Sequence, residues 1–264
     1  MVITLLTDFG EGGYWVGVMK GVILNITPHV QIVDITHSIP SHQLKVASFI
    51  LKVSYSFFPP DTVHVVVVDP GVGTDRKALI VRTERYYFVG PDNGVLSWML
   101  EEEGIKKIIN IKNEKYFLPE LSSTFWGRDV FAPVAAHIAD GMPVEEFGEE
   151  LKLGEIVRVE LPRMVMKNRK IIGEVVYVDK FGNLITNIEK RRCEEWLRGR
   201  GFSLHIGQRR IHRIVPNYQE AEKGEIVALW GSTGYLEIAT KEDSASKILT
   251  SREGDKVSLE ISSV

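Results

Sequence analysis

"TVHVVVVDPGVGTDRKALIVRT", residues 62–83, sets two apolar runs around a glycine-rich turn. The run 62–68 is apolar at nearly every position, so a strand there has no polar face to offer water. A strand buried on both faces needs a covering layer on each side of its sheet, and helices supply one. The neighbouring segments fit. "VITLLT" (2–7), "VQIVDIT" (30–36) and "KALIVRT" (77–83) have strand length and β-branched content. Between them, "YWVGVMKGVILNI" (14–26) and "HQLKVASFILKVSYSFF" (42–58) carry apolar residues at helical spacing, and "GRDVFAPVAAHIADG" (127–141) reads as a later helix closed by Gly141. This alternation predicts an α/β domain, a largely parallel sheet with flanking helices, over residues 1–165.

Beyond residue 160 the texture changes. "IIGEVVYVDKFGNLITNI" (171–188), "GEIVALWGSTGYLEIAT" (224–240) and "DKVSLEIS" (255–262) are short β-rich segments broken by glycine turns. They predict a small β-barrel or sandwich over residues 166–264. The chain shows no internal repeat and no low-complexity segment.

Composition narrows the function classes. The net charge is −3 with both signs interspersed, which gives no electrostatic footprint for nucleic acid. No apolar stretch approaches the roughly 20 residues needed to span a bilayer. The single cysteine, Cys193, forms no internal disulfide and fits a reducing compartment, so a cytoplasmic protein is expected. The seven histidines show no metal-ligand spacing, and most read as surface or packing residues.

In an open α/β sheet, ligands sit at the carboxyl ends of the strands. Asp8 ends the first strand in "TDFGEGG", and Asp69 ends the strand at 62–68 in "DPGVGTDR". Each precedes glycines that let a ligand approach the backbone, although helix capping and turn hydrogen bonding are the plain alternatives. The loop after Asp69 lacks the Lys-Ser/Thr of a Walker-type phosphate loop. It also lacks the second carboxylate of a magnesium phosphatase. What remains is Asp69 and Arg76, a carboxylate and a guanidinium able to hold and polarise a water without a metal, or else a surface ion pair. In the second half, "VDKFGNLITNI" (178–188) clusters Asp179, Phe181 and Asn183, an aromatic beside an amide able to read a nucleobase edge. "WGSTGY" (230–235) adds Ser232, Thr233 and Tyr235 in another glycine-rich turn.

Taken in order, "LLTDFG", "DITHSIP", "VVVVDPGVGTDRKAL", "FVGPDNGVLS", "FWGRDVFAP", "DKFGNLITNI" and "GSTGYLEIA" resemble the S-adenosylmethionine (SAM) hydrolases. These are also called SAM hydroxide adenosyltransferases and are related to the fluorinases and chlorinases. The resemblance covers nearly the whole chain. It implies an N-terminal α/β domain, a C-terminal β-barrel and a homotrimer, with each site between the N-terminal domain of one subunit and the C-terminal domain of the next. SAM is then the substrate and no cofactor is needed. Water displaces methionine from the ribose C5′. By match to the family, Asp8 binds the ribose hydroxyls, Phe181 and Asn183 contact adenine, and Asp179 meets the methionine ammonium. Ser232 and Thr233 face the methionine end, where the halogenases have an arginine at the second position. Asp69 and Arg76 match two members of a water-handling triad, and a carboxylate at position 69 favours water over halide.

The third member of that triad is a His before Gly-Arg-Asp, and here the position is Trp126. An indole is a donor only and takes no proton at neutral pH. Trp15 likewise stands where relatives have Tyr or a smaller polar residue. Two indoles can attract the sulfonium by about 0.5–2 kcal/mol each. That favours binding over rate, because the charge fades in the transition state. The expectation is slow hydrolysis with Asp69, Arg76, Trp126 and the Gly127 N–H around the attacking water. The alternative from another class is a non-catalytic nucleoside or SAM binder. A halide-using transferase and a metal-dependent phosphohydrolase fit less well.

Overall fold

The computed structural model describes residues 1–198 and 200–261. The chain divides into two compact units, Met1–Leu161 and Pro162–Val264.

In the first unit, strands β1 (Val2–Thr7), β2 (Gln31–Thr36), β3 (Val63–Val67), β4 (Ala78–Thr83), β5 (Tyr87–Pro91), β6 (Ile105–Ile111) and β7 (Gly148–Glu150) form one sheet in the order β2-β1-β3-β5-β4-β6-β7. Strands β2, β1, β3 and β5 run parallel, whereas β4, β6 and β7 pair antiparallel. The sheet is therefore mixed, which corrects the expectation of a largely parallel one. Only Glu84–Arg85–Tyr86 separate β4 from β5. A link that short can make only a hairpin, since a parallel pair needs a crossover of a dozen residues or more.

Helices α1 (Trp15–Ile26), α2 (Leu44–Ser54), α3 (Ser97–Leu100) and α4 (Ala132–Ala139) cover the sheet. Alternation along β1 and β3 sorts the two faces. Ile3, Leu5, Val63, Val65 and Val67 join Met19 and Ile23 of α1 and Val134 and Ala135 of α4 in one core. The intervening positions face the other layer, where His64 lies fully buried among Tyr55, Phe58, Tyr86 and Phe88. Its Nδ1 shares a hydrogen bond with Thr4 Oγ1 at 2.8 Å.

In the second unit, β8 (Val165–Lys167), β9 (Lys170–Val178), β10 (Leu184–Glu189), β11 (Phe202–Ile206), β12 (Arg209–Ile211), β13 (Ile214–Val215), β14 (Ile226–Trp230), β15 (Tyr235–Thr240) and β16 (Lys256–Ile261) make one curled sheet, with short helices α5 (Lys190–Leu197) and α6 (Ala245–Leu249). The order is β12-β11-β16-β9-β10-β15-β14-β13, with β8 on β9. Ile171, Leu184, Leu204, Leu236, Ile238 and Leu259 fill its inner face. The terminal strands, of three and two residues, do not pair with each other. The expected closed β-barrel is thus a curled half-barrel, because edges this short carry no closing ladder.

Among the described residues no helix is long and apolar enough to cross a membrane.

Candidate active site

Strands β1 and β3 are neighbours in register, with Thr7 opposite Val67. Their carboxyl ends therefore release Asp8 and Asp69 side by side. Asp69 enters a tight loop held by Val72 N–H to Asp69 O (3.3 Å) and Thr74 N–H to Gly71 O (3.2 Å). The loop returns Arg76 to the carboxylate: Nε donates to Oδ1 at 2.6 Å and Nη2 donates to Oδ2. This bidentate pair is nine-tenths buried, the side chains being 9% and 5% exposed. Burial pushes the Asp69 carboxyl above its ordinary value; Arg76 opposes that shift and the nearby Asp8 adds to it. A carboxylate held this way is ionised by its partner yet more basic than a solvated one.

A second segment closes over the pair. Gly73 has φ +80°, and a Cβ there would stand 2.2 Å from Ser123 O. Only glycine allows the 69–76 loop to touch the 122–124 backbone so closely. That contact seats the following Trp126, whose ring centroid lies 4.6 Å from the Arg76 guanidinium carbon, with Phe131 at 5.6 Å. Gly127 opens a single π-helical turn, Gly127–Phe131, that runs into α4. Such turns recur at functional sites. Its N–H belongs to the first turn, where the helix itself offers no acceptor. A Cβ on Gly127 would meet Met19 Sδ, Phe125 and Phe9 at 3.2–3.4 Å. The next two residues are structural. Asp129 is fully buried, accepts from Arg128 Nε (2.5 Å) and Ser122 N (2.7 Å), and ties the 118–124 loop to the helix.

Asp8 Oδ2 accepts from the His42 N–H at 3.0 Å, and His42 holds a left-handed φ of 67° to do so. The loop is tied further by Gly10 N–H to His37 O (2.8 Å). His37 is buried, its Nδ1 2.9 Å from Thr7 Oγ1. Its Nε2 stands 3.1 Å from Asp34 Oδ1 without hydrogen-bond alignment. His37 and His42, beyond the surface or packing role expected of the histidines, brace the Asp8 loop. Trp15 is set apart: 40% exposed, stacked on Tyr14 at 4.9 Å, with its ring over Gly13.

In the second unit, Asp179, Phe181 and Asn183 share the β9–β10 turn. Asp179 Oδ1 accepts from Phe181 N and Asn183 N, and Oδ2 from Asn183 Nδ2, each at 2.9 Å. A carboxylate has about four acceptor positions, so this one is fixed with capacity remaining. Phe181 is 65% exposed. Gly182 packs its Cα on Ser244, where a Cβ would lie 2.0 Å from the hydroxyl. A cavity of about 630 Å³ opens here, lined by Asp179, Phe181, Asn183, Tyr218, Lys241 and Ser244 among others.

Ser232 and Thr233 are exposed in the β14–β15 turn, at the far end of β15, about 17 Å along a six-residue strand. Tyr235 is buried in β15. Between the two clusters lies a pair the sequence reading missed. Tyr218 OH donates to Glu237 Oε2 at 2.7 Å, and burial, with Asp179 nearby, pushes the Glu237 carboxyl up. The signal was one acid inside the otherwise apolar "YLEIA"; nothing marked Tyr218. Among the described residues no group of three or more His, Cys, Asp or Glu is placed to hold a metal.

Two family models match, the SAM hydroxide adenosyltransferase N-terminal domain over residues 3–148 and its C-terminal domain over residues 173–258. A relative from Methanocaldococcus jannaschii named (R)-S-adenosyl-L-methionine hydrolase is 38% identical over 260 residues, covering 94% of this chain and 91% of the relative. One of the same name from Thermus thermophilus is 35% identical, covering 97% and 98%. A fluorinase from an Actinoplanes species is 28% identical, covering 90% of each chain. Among solved structures, an uncharacterized conserved protein from Thermotoga maritima superposes with a TM-score of 0.91 at 38% identity, covering 98% of this chain and 99% of that one. With both domain models matched in order and relatives of this identity aligned over almost their full length, the chain belongs to the SAM hydroxide adenosyltransferase family.

Proposed function

We propose that this protein hydrolyses SAM to adenosine and methionine. One observation carries the reading: a buried, bidentate Asp69–Arg76 pair at the carboxyl edge of the sheet, beside Asp8, in a chain whose relatives are named for this activity. The sulfonium is already an activated leaving group, because it becomes a neutral thioether as the C5′–S bond breaks. The task left to the protein is to align a water opposite sulfur, which is worth about 7–11 kcal/mol in well-oriented systems. Asp69 accepts one water proton while the oxygen bonds to C5′, and the second water hydrogen stays on the new 5′-hydroxyl. Arg76 fixes the carboxylate's direction, and the Gly127 N–H donates to the attacking oxygen. A fixed carboxylate repels halide, so water is the nucleophile.

Asp8 takes the ribose hydroxyls. Phe181 stacks the adenine, and Asn183 uses the carbonyl left after its amide donates to Asp179. Asp179 meets the ammonium, while Ser232 and Thr233 face the carboxylate end. Trp15 and Tyr235 belong to the surrounding wall. The substrate-contacting groups fall in both units. The reading therefore includes a homotrimer whose sites each combine the first unit of one subunit with the second unit of the next. It invokes no cofactor and no nucleic-acid or membrane partner, and it places the protein in the cytoplasm, where a lone buried thiol persists.

The test is incubation with SAM in buffers with and without chloride or fluoride, with chromatography of the nucleosides. Adenosine formed at the same rate in all buffers, and lost by a factor of about 10²–10⁴ in Asp69→Asn, supports the reading. SAM binding without product would leave only a binder, and 5′-halo-adenosine would make the protein a halide transferase.

A further inference from the structure

We propose that Trp126 is a positioning residue acting through Arg76: its indole face holds the guanidinium flat against the Asp69 carboxylate. This rests on the hydrolase reading above.

The geometry is specific. Arg76 makes every strong contact in one plane: Nε and Nη2 to Asp69, and Nη1 to Lys77 O at 3.1 Å. A planar fork so engaged leaves its faces for aromatic rings. The ring centroids of Trp126 and Phe131 lie 4.6 Å and 5.6 Å from the guanidinium carbon. The two rings come from one segment, Trp126 immediately before the π turn and Phe131 at its end. The turn itself is pinned beside the Asp69 loop by the Gly73–Ser123 contact. An indole engaged with Arg76 is thereby assigned to the ion pair rather than to the substrate's sulfonium. Since indole has no basic nitrogen, it contributes direction and exclusion of water, not proton transfer.

Arg76 and Asp8 are the charged groups that act on Asp69, and its loop also carries Asp75 and Lys77, the latter 3.5 Å from Asp92. Arg76 comes from its own loop and Asp8 from the end of β1. The segment bearing Trp126 adds only Arg128 and Asp129, which pair with each other. Loss of the stack therefore acts on Asp69 through Arg76, the group the ring touches. A loosened guanidinium stabilises the carboxylate less, so the group titrates at higher pH and points less reliably.

The experiment compares wild type with Trp126→Phe and Trp126→Ala. Two readouts are used: the pH profile of SAM turnover, and the titration of the Asp69 carboxyl carbon by NMR, which needs no activity. Trp126→Phe keeps a flat ring and is expected to hold kcat within about threefold. Trp126→Ala is expected to lower kcat by about tenfold to a hundredfold with little change in KM. Its acid limb and the Asp69 titration both move to higher pH. A rise in KM with kcat and the Asp69 titration unchanged would overturn the proposal, because the ring would then touch substrate. So would a Phe variant as impaired as the Ala variant. Absence of adenosine in wild type would instead sink the hydrolase reading, and the NMR titration would still decide the stack.

Discussion

His64 and Asp69 lie on one strand and its exit, and both are buried titratable groups, yet only one is held by a charged partner. His64 has no charged neighbour among its contacts; burial pushes it down to about 3, and it sits in the core as a neutral ring bonded to Thr4. Asp69 has a guanidinium locked on it at an edge where ligands bind. The first arrangement has a cost in acid. A His whose native value is depressed contributes stability that is full above about pH 6.5 and is lost as pH falls toward the native value. His64→Phe removes that titration within an aromatic cluster of similar shape. We expect the variant to be less stable than wild type at pH 7.5, having lost the Thr4 bond. Denaturant unfolding at pH 4.5 should show the gap closing by on the order of 2 kcal/mol. A gap that does not change with pH would mean that His64 does not carry the acid sensitivity.

The elements that make the first cluster are two loops some fifty residues apart in sequence, 69–76 and 122–129, and one glycine joins them. Gly73→Ala places a Cβ 2.2 Å from Ser123 O in a left-handed backbone, costing about 1–2 kcal/mol from the backbone alone. Gly71→Ala, whose Cβ would meet Arg76 Cδ at 3.5 Å, is the matched control. Turnover should fall at least tenfold more in the first variant than in the second, about the effect of small misplacements in active sites; equal losses would show that the loop contact does not position the pair. The carboxylate and guanidinium of the first loop were readable from the sequence as a pair, because an Asp at a strand exit and an Arg after a glycine turn have local signatures. The junction of the two loops was not, since a backbone-to-backbone contact leaves only an unexplained glycine. The β4–β5 reversal was written in a three-residue link that apolar patterning alone passed over. Barrel closure failed for a related reason, since pairing between terminal strands depends on their length and has no local mark. Tyr218 and the bracing histidines were silent because their roles arise from tertiary neighbours.

At the scale of the molecule the charge is uneven. The unit Met1–Leu161 holds 14 Lys and Arg against 21 Asp and Glu, and the remainder of the chain holds 18 against 14. The small total of −3 thus hides an acidic half and a basic half. Such halves favour head-to-tail contact between copies over contact between like halves. That polarity suits the proposed ring, in which the Asp69 cluster of one subunit serves with the Phe181 turn of its neighbour. The arrangement can be tested by complementation. Asp69→Asn disables the first cluster and Phe181→Ala the second, so each homo-oligomer should be nearly inactive. Co-expressed at equal ratio, they assemble sites at random. A site draws an intact first half from one variant and an intact second half from the other in roughly a quarter of cases, given a closed cyclic assembly. Recovery of about a quarter of wild-type turnover in the co-purified mixture, with a mass near three chains by light scattering, is the expected outcome. No recovery in a mixed oligomer would mean that each site is completed within a single chain.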